Sequence, residues 1–488
     1  MNALNLSLFV PELMTLVFFA YFILESVLAG KKDRPSIFNE MAVGALLLGA
    51  ALFLFGNKFG AGFGGMAVAD AFGFYFKVFF TAVFFVVAFM SREQLKNTAQ
   101  NNQGFGLILW SSLIGLYFLA SASHLLVLFV AIEILTMSLY ILATYGRHIL
   151  ATHNQHMLAT PGNAKAIEAG LKYLVLGSVA SAFMIFGIAL LYLQTGTLSF
   201  AGLASAQNLL WSTPIGILGL LLFFAGIGFK IAAAPFHFWV PDVYEGSPAP
   251  VSAFLSVASK AAGFLVLIRF FQLSLSPLPQ SWQIAFAVIS AVTLLYGSLG
   301  ALAQTSLKRL LGYSSISHAG YLLIAFTAGT APASQSILYY LAGYAASTLA
   351  AFYAITLIEK QQGSDASKNL DGLAQTSPFL AGTFVISLFS LAGIPPLAGF
   401  MGKFWILFSA LQAGQNALVG ISLIAIVLGI FYYLSLVSRI ILREPQSPAT
   451  FEIPVSAKWI LGLLSLLSIA IGLFQAPLIQ AAAIAIKN

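Results

Sequence analysis

The stretch Phe223–Trp239, FFAGIGFKIAAAPFHFW, decides how this chain folds. Lys230 sits in the middle of an apolar run, and Pro235 follows five residues later. In hydrocarbon a charge is expensive and a proline breaks the helix. A spanning segment that keeps both is built around a task.

The rest of the chain supports a membrane setting. Of its 488 residues, 60% are hydrophobic and only 8% are charged, with a mean hydropathy of +0.94. Soluble domains carry about 25% charged residues. The first apolar run does not read as a cleavable signal, because Pro11 and Glu12 interrupt it and no basic segment precedes it. There is no cysteine, which excludes disulfides and cysteine-ligated zinc or iron–sulfur clusters. The pI near 9.4 points to basic loops on one membrane face, not to nucleic acid.

A helix needs about 20 apolar residues to cross the hydrocarbon, and about fourteen such stretches can be read. They centre near residues 17, 47, 80, 113, 134, 181, 224, 261, 292, 319, 345, 395, 428 and 467. The fold class is therefore an all-α polytopic membrane protein, with residues 1–488 as a single transmembrane domain. The longest polar interruptions, 146–167 and 359–377, are too short to hold a folded domain.

The charges test the count. Odd-numbered connections share one side. There lie Lys31, Lys32, Arg34, Arg92, Lys96, Arg147, Lys165, Lys308, Arg309, Lys360, Lys368, Arg439, Arg443 and Lys458. The other side has Lys58, Arg269 and Lys487. This bias follows the positive-inside rule and puts both termini outside.

Five lysines remain within the spans: Lys77, Lys172, Lys230, Lys260 and Lys403. Glu133 joins them in LLVLFVAIEILTMSLY. Lys77, seven residues after Asp70, reads as a side chain snorkelling to the interface. The others have long apolar flanks, and such residues mark ion pathways. Ser252, Ser256 and Lys260 fall on one helical face, as do Ser314, His318 and Tyr321. These stripes suit a file of water, or else close helix packing through serines.

Pro235 removes the partner of the Ile231 carbonyl, beside Lys230. The twelfth span repeats the device in SLAGIPPLAGFMGKFW, where Pro395 and Pro396 free the carbonyls of Leu391 and Ala392 ahead of Lys403. Broken helices seven and twelve suggest an inverted repeat of spans 4–8 and 9–13. That divides the chain into spans 1–3 (1–103), a first repeat (104–272), a second (281–441) and a last span (457–476). One mismatch stands out: the lysine precedes the prolines in one copy and follows them in the other. His237, seven residues after Lys230, falls two helical turns on and reads as a relay or as a packing residue.

The chemistry favours H⁺ over Na⁺, because a charged lysine repels Na⁺ and a desolvated one titrates. A carboxylate about 4 Å away, at an effective dielectric near 20, favours the charged form by on the order of 4 kcal/mol. Glu133 and Lys172 are the expected pair for such a switch, with Lys230, Lys260, His318 and Lys403 as further stations.

The motifs GFKIAAAPFHFWVPDVYEGSPAPVSAFLSVASKAAGF, KRLLGYSSISHAGY and SLAGIPPLAGFMGKFW resemble the antiporter-like membrane subunits of respiratory complex I. IEAGLKYLVLGSVASAFMIFGIALLYLQTGTLSF resembles the N subunit, the counterpart of mitochondrial subunit 2. The resemblance covers most of the chain and is weakest before about residue 70. It implies a proton-translocating subunit of NADH:quinone oxidoreductase in a bacterial inner membrane. Its proton route falls on Glu133, Lys172, Lys230, Lys260 and Lys403. It also implies partners of the M type and small K/J type, besides lipids and internal water. FMN, iron–sulfur clusters and quinone belong to partner subunits, with no cofactor in this chain. The M-type sister carries glutamate at the place of Lys403, which favours N. The loop RHILATHNQHMLATPGNAKAI is longer than the family pattern, and its His148, His153 and His156 read as solvated. The alternative is a subunit of a multisubunit Na⁺/H⁺ antiporter, which shares these motifs. A pure scaffold fits poorly with so many intramembrane charges.

Overall fold

The computed structural model describes residues 5–28, 37–56, 58–95, 102–145, 161–445 and 452–487. The loop histidines His148, His153 and His156 lie outside the described residues, as do Lys31, Lys32, Arg34, Lys96 and Arg147. The chain is almost wholly helical. The first part contains α1 (Val10–Leu28), α2 (Ile37–Phe55), α3 (Ala71–Leu95), α4 (Asn102–Ser121), α5 (Leu125–Ala143) and α6 (Pro161–Thr195). A small antiparallel hairpin, β1 (Gly60–Gly62) with β2 (Ala67–Ala69), precedes α3. Two short helices follow α6, namely α7 (Phe200–Ser205) and α8 (Gln207–Ser212).

The seventh span is split into α9 (Pro214–Ile231) and α10 (Val240–Gly246). The eighth runs through α11 (Ala249–Phe254), a π-helical turn at Leu255–Ser259, α12 (Lys260–Leu267) and a second π-helical stretch at Ile268–Ser274. Then come α13 (Gln280–Ala301), α14 (Leu307–Ala328) and α15 (Ala331–Gln362), with the short α16 (Leu373–Thr376). The twelfth span is split into α17 (Pro378–Ala392) and α18 (Ala398–Gln412). Last come α19 (Asn416–Leu442), α20 (Val455–Leu473) and α21 (Ala476–Lys487).

Among the described residues twelve helices are long and apolar enough to cross a membrane. The polar start of α14 and the break between α17 and α18 account for the other two expected spans. All fourteen centres read from the sequence fall on helices or on that break. The terminal α21 packs on α15 and α3 and was not legible as a span.

The two breaks are built alike. At the first, Ala232 takes a left-handed conformation, φ 64°, and the Ala233 N–H donates back to the Gly228 carbonyl at 2.9 Å. At the second, Gly393 has φ 91° and the Ile394 N–H donates to the Phe389 carbonyl at 3.0 Å. This is the usual way to end a helix with a left-handed residue. Each left-handed residue lies three before a proline, Pro235 or Pro396. In this register Lys403 falls opposite Asp242, and Lys230 falls opposite Leu391. Aligned on the two breaks, the lysines are not equivalent positions.

Three cations lie elsewhere than the sequence suggested. Lys77 does not snorkel; it is buried and paired with Glu12 of α1 at 2.5 Å. Arg269, assigned to an outer loop, is buried in the second π-helical stretch. Its guanidinium donates to both Asp70 oxygens, at 2.7 and 3.0 Å, and to the Ala120 carbonyl at 2.8 Å. Lys308, counted among the loop cations, is buried at the start of α14 against Glu359 at 3.1 Å and the Ser247 carbonyl at 2.8 Å. These pairs bind distant helices together where apolar contact alone gives little preference between partners.

Removing one member of a buried pair strands the other, at a cost of about 3–5 kcal/mol. Arg269→Gln is expected to lower the melting temperature of the purified protein clearly. Unchanged melting would show that Asp70 does not depend on it.

Candidate functional site

Most of the candidate residues form one polar axis through the bundle. It begins half-buried on α5, where Glu133 accepts a hydrogen bond from Ser181 of α6 at 2.6 Å. Three residues on, Thr136 accepts the Lys230 ammonium of α9 at 2.7 Å. Glu133 and Thr136 are three residues apart on one face of α5, so the carboxylate and the Lys230 ammonium approach the same side of that helix. Lys230, in the last turn before the break, is 4% exposed.

The next station is close because α12 carries a glycine where it meets α9. A Cβ on Gly263 would stand 2.4 Å from Ile231 Cγ2 and 3.6 Å from Lys230 Cβ. Lys260 lies three residues before Gly263 and is 1% exposed. Its ammonium donates to both the carbonyl and the hydroxyl of Ser315. Ser315 also meets the Tyr244 hydroxyl at 3.2 Å and the Ser256 hydroxyl at 3.3 Å. Ser256 in turn bonds Tyr344 at 2.6 Å. The π-helical turn leaves Ser256 and Lys260 converging on Ser315, while Ser252 bonds the Tyr244 carbonyl at 3.0 Å.

Beyond Lys260 lies a gallery of tyrosines. His318 is buried between Tyr344, with ring centroids 4.8 Å apart, and Tyr340, whose hydroxyl lies 2.5 Å from Nδ1. Tyr321 follows on the same helix, and the Lys403 ammonium sits 5.0 Å from its ring centroid. Lys403 then reaches back across the second break. It donates to the Leu391 and Ala392 carbonyls, each at 2.9 Å. These are the two carbonyls that the prolines were expected to free. A charge-assisted bond of this kind contributes about 1.5–3 kcal/mol.

Two expectations are corrected. Lys172 does not pair with Glu133. It pairs with Glu168 at 2.7 Å and Asp242 at 2.6 Å, and its side chain is 41% exposed. Glu133 and Lys172 lie on different helices, and sequence spacing could not choose between Lys172 and Lys230 as its cationic neighbour. His237 does not share a helical face with Lys230, because the helix ends at Ile231. It is buried against Tyr296, ring centroids 4.0 Å apart, with neither nitrogen bonded to a protein group among the described residues. Thr136, Ser315, Tyr340 and Tyr344 were missed. Thr136 carried a signal, three residues from Glu133, and Ser315 sits inside the quoted YSSISH.

Residues 122–429 match the family described as NADH:quinone oxidoreductase/Mrp antiporter, transmembrane. The whole axis from Glu133 to Lys403 lies inside that span. NADH-quinone oxidoreductase subunit N of Desulforamulus reducens is 33% identical over 99% of this chain and 98% of its own length. The chain belongs to the subunit N family of NADH-quinone oxidoreductases. NAD(P)H-quinone oxidoreductase subunit 2 of Synechococcus sp. is 38% identical over 78% of this chain and 70% of its own. A chain of respiratory complex I from Thermus thermophilus superposes with a TM-score of 0.80 at 31% identity, covering 97% of this chain and 99% of that one. A chain of the Mrp complex from Dietzia sp. superposes with a TM-score of 0.81 at 21% identity, covering 100% of this chain and 97% of that one, which is a likeness of fold alone. The subunit N family thus accounts for nearly the whole chain, including the first four spans and the last, which lie outside the matched segment.

The left-handed residues at the two breaks differ, and this is testable. Gly393→Ala puts a Cβ 3.1 Å from the Lys403 ammonium at a φ that side chains rarely adopt. It is expected to cost about 1–3 kcal/mol. Ala232→Gly relieves the same conformation and is expected to stabilise by about 1 kcal/mol. Thermal melting of the two variants should therefore shift in opposite directions.

Proposed function

We propose that this chain is the proton-translocating, non-redox membrane subunit of an NADH:quinone oxidoreductase. The observation that carries the reading is the succession of ionisable side chains in the interior of the bundle: Glu133, Lys230, Lys260, His318 and Lys403. Each is held by oxygen atoms or rings of neighbouring helices. Among the described residues, Lys230, Lys260 and Lys403 are held by neutral oxygens, not by direct ion pairs.

That arrangement suits proton transfer. A neutral oxygen orients an ammonium without fixing its charge as firmly as a carboxylate would. A change of charge at one station alters the next through Coulomb interaction, which is strong where water is scarce. A proton arriving at Glu133 weakens its hold on Lys230, and the Lys230 proton is then free to move toward Lys260. Ser315, the tyrosines and His318 offer hydroxyl and imidazole positions between Lys260 and Lys403. Lys172, at one edge of the bundle, belongs to this reading as an uptake group, and His237 as a lateral group beside the first break.

Iron–sulfur chemistry would lie in partner subunits, since the chain has no cysteine to ligate a cluster, and this reading places hydride, flavin and quinone chemistry there with it. M-type and small K/J-type membrane subunits are the neighbours this reading implies. A bacterial inner membrane with both termini outside fits the loop charges.

The test is proton transport by the assembled complex in proteoliposomes. Lys230→Ala and Glu133→Ala are each expected to slow it by about tenfold or more. Transport at the wild-type rate in either variant would refute the reading. Purification separates it from an antiporter subunit: flavin and iron–sulfur subunits should accompany the chain.

A further inference from the structure

Six charged side chains alternate in sign along one edge of the bundle. Lys165 pairs with Glu245 at 2.8 Å, and Glu245 with Arg309 at 3.0 Å. Arg309 pairs with Asp242 at 2.6 Å, and Asp242 with Lys172 at 2.6 Å. Lys172 ends the row on Glu168 at 2.7 Å. The row joins three helices. Lys165, Glu168 and Lys172 are on α6, Asp242 and Glu245 on α10, and Arg309 on α14.

Helix α10 is the short segment that follows the first break. The helical hydrogen bonding of α9 ends at Ile231, so contacts to α6 and α14 help set the position of α10. Asp242 and Glu245, three residues apart on one face, each bridge α6 to α14. One Asp242 oxygen takes Lys172 and the other takes Arg309. At the second break the matching position is Lys403, which ties its helix back to the carbonyls of α17. The first break has the opposite charge there and ties its helix sideways instead.

Between the two carboxylates stands Tyr244. Its hydroxyl meets Ser315 of α14, and Ser315 receives the Lys260 ammonium. A second contact holds the same two helices close, since a Cβ on Gly312 of α14 would lie 3.5 Å from Tyr244 Cβ. The position of α10 along α14 therefore sets where Tyr244 and Ser315 meet, one bond away from Lys260.

We propose that Asp242 is a positioning residue for proton transfer at Lys260: with Arg309 and Lys172 it clamps α10, and α10 holds Tyr244 against Ser315. The inference rests on the transport reading given above. It assigns a role to Asp242, Arg309 and Tyr244, whose own protons need not move.

The test uses the assembled complex in proteoliposomes, with transport normalised to the amount of complex assembled. Lys260→Ala serves as the control for the transport reading. Asp242→Asn is expected to slow transport by roughly tenfold, because small misplacements of reacting groups are costly. Asp242→Glu is expected to restore most of the rate. Tyr244→Phe keeps the ring and its packing, and is expected to slow transport without reducing assembly. The double variant Asp242→Asn/Tyr244→Phe is expected to be little worse than Asp242→Asn alone, since both cut one link.

Wild-type transport in Lys260→Ala overturns the transport reading, and this inference with it. If Lys260→Ala stops transport while Asp242→Asn and Tyr244→Phe do not, only the clamp is overturned. Strictly additive losses in the double variant, or a loss in Asp242→Asn fully accounted for by less assembled complex, also overturn it.

Discussion

A cation in a low-dielectric interior must be answered by something, and this chain gives two kinds of answer. Some cations are answered by a full opposite charge. Lys77 has Glu12, Arg269 has Asp70 and Lys308 has Glu359. Others are answered, among the described residues, by neutral oxygen: Thr136 for Lys230, Ser315 for Lys260 and two backbone carbonyls for Lys403. A full charge opposite holds the proton in place and makes the pair structural. A neutral dipole leaves the balance near enough to shift when a neighbouring charge changes. The proposed division between fixed and movable protons rests on that difference.

The helix breaks supply part of the neutral oxygen. Carbonyls left without helical partners cannot stay bare in hydrocarbon. At the second break Lys403 satisfies two of them, so one side chain both caps a helix and stands on the axis. At the first break the helix ends on a left-handed alanine, and Lys230 turns to a neighbouring helix for its oxygen. The two breaks thus reach similar ends by different bonds. Pro235 and Pro396 match in register, while the lysines around them do not.

The tyrosines connect the two breaks. Tyr344 faces Lys260 and Tyr340 meets His318, on the way from Lys260 to the second break at Lys403. Helix α15 is buried along almost its whole length and touches both α14 and α18. Its aromatic rings fill volume and its hydroxyls carry hydrogen bonds, so packing and polarity come from the same residues.

Much of this was readable from the amino acids in order. Hydropathy placed all fourteen expected centres on helices or at the second break, because the length of apolar run needed to cross hydrocarbon is a local property. Paired prolines located both breaks, and the isolated charges Glu133, Lys230, Lys260 and Lys403 located the axis. Partners were another matter. That Lys172 meets Asp242 and not Glu133, that Arg269 returns to Asp70 across 199 positions, and that Lys308 is buried all depend on which helices lie side by side. In a bundle where nearly every face is apolar, helical periodicity hardly distinguishes one neighbour from another. Only the packed tertiary structure decided which oxygen met which ammonium.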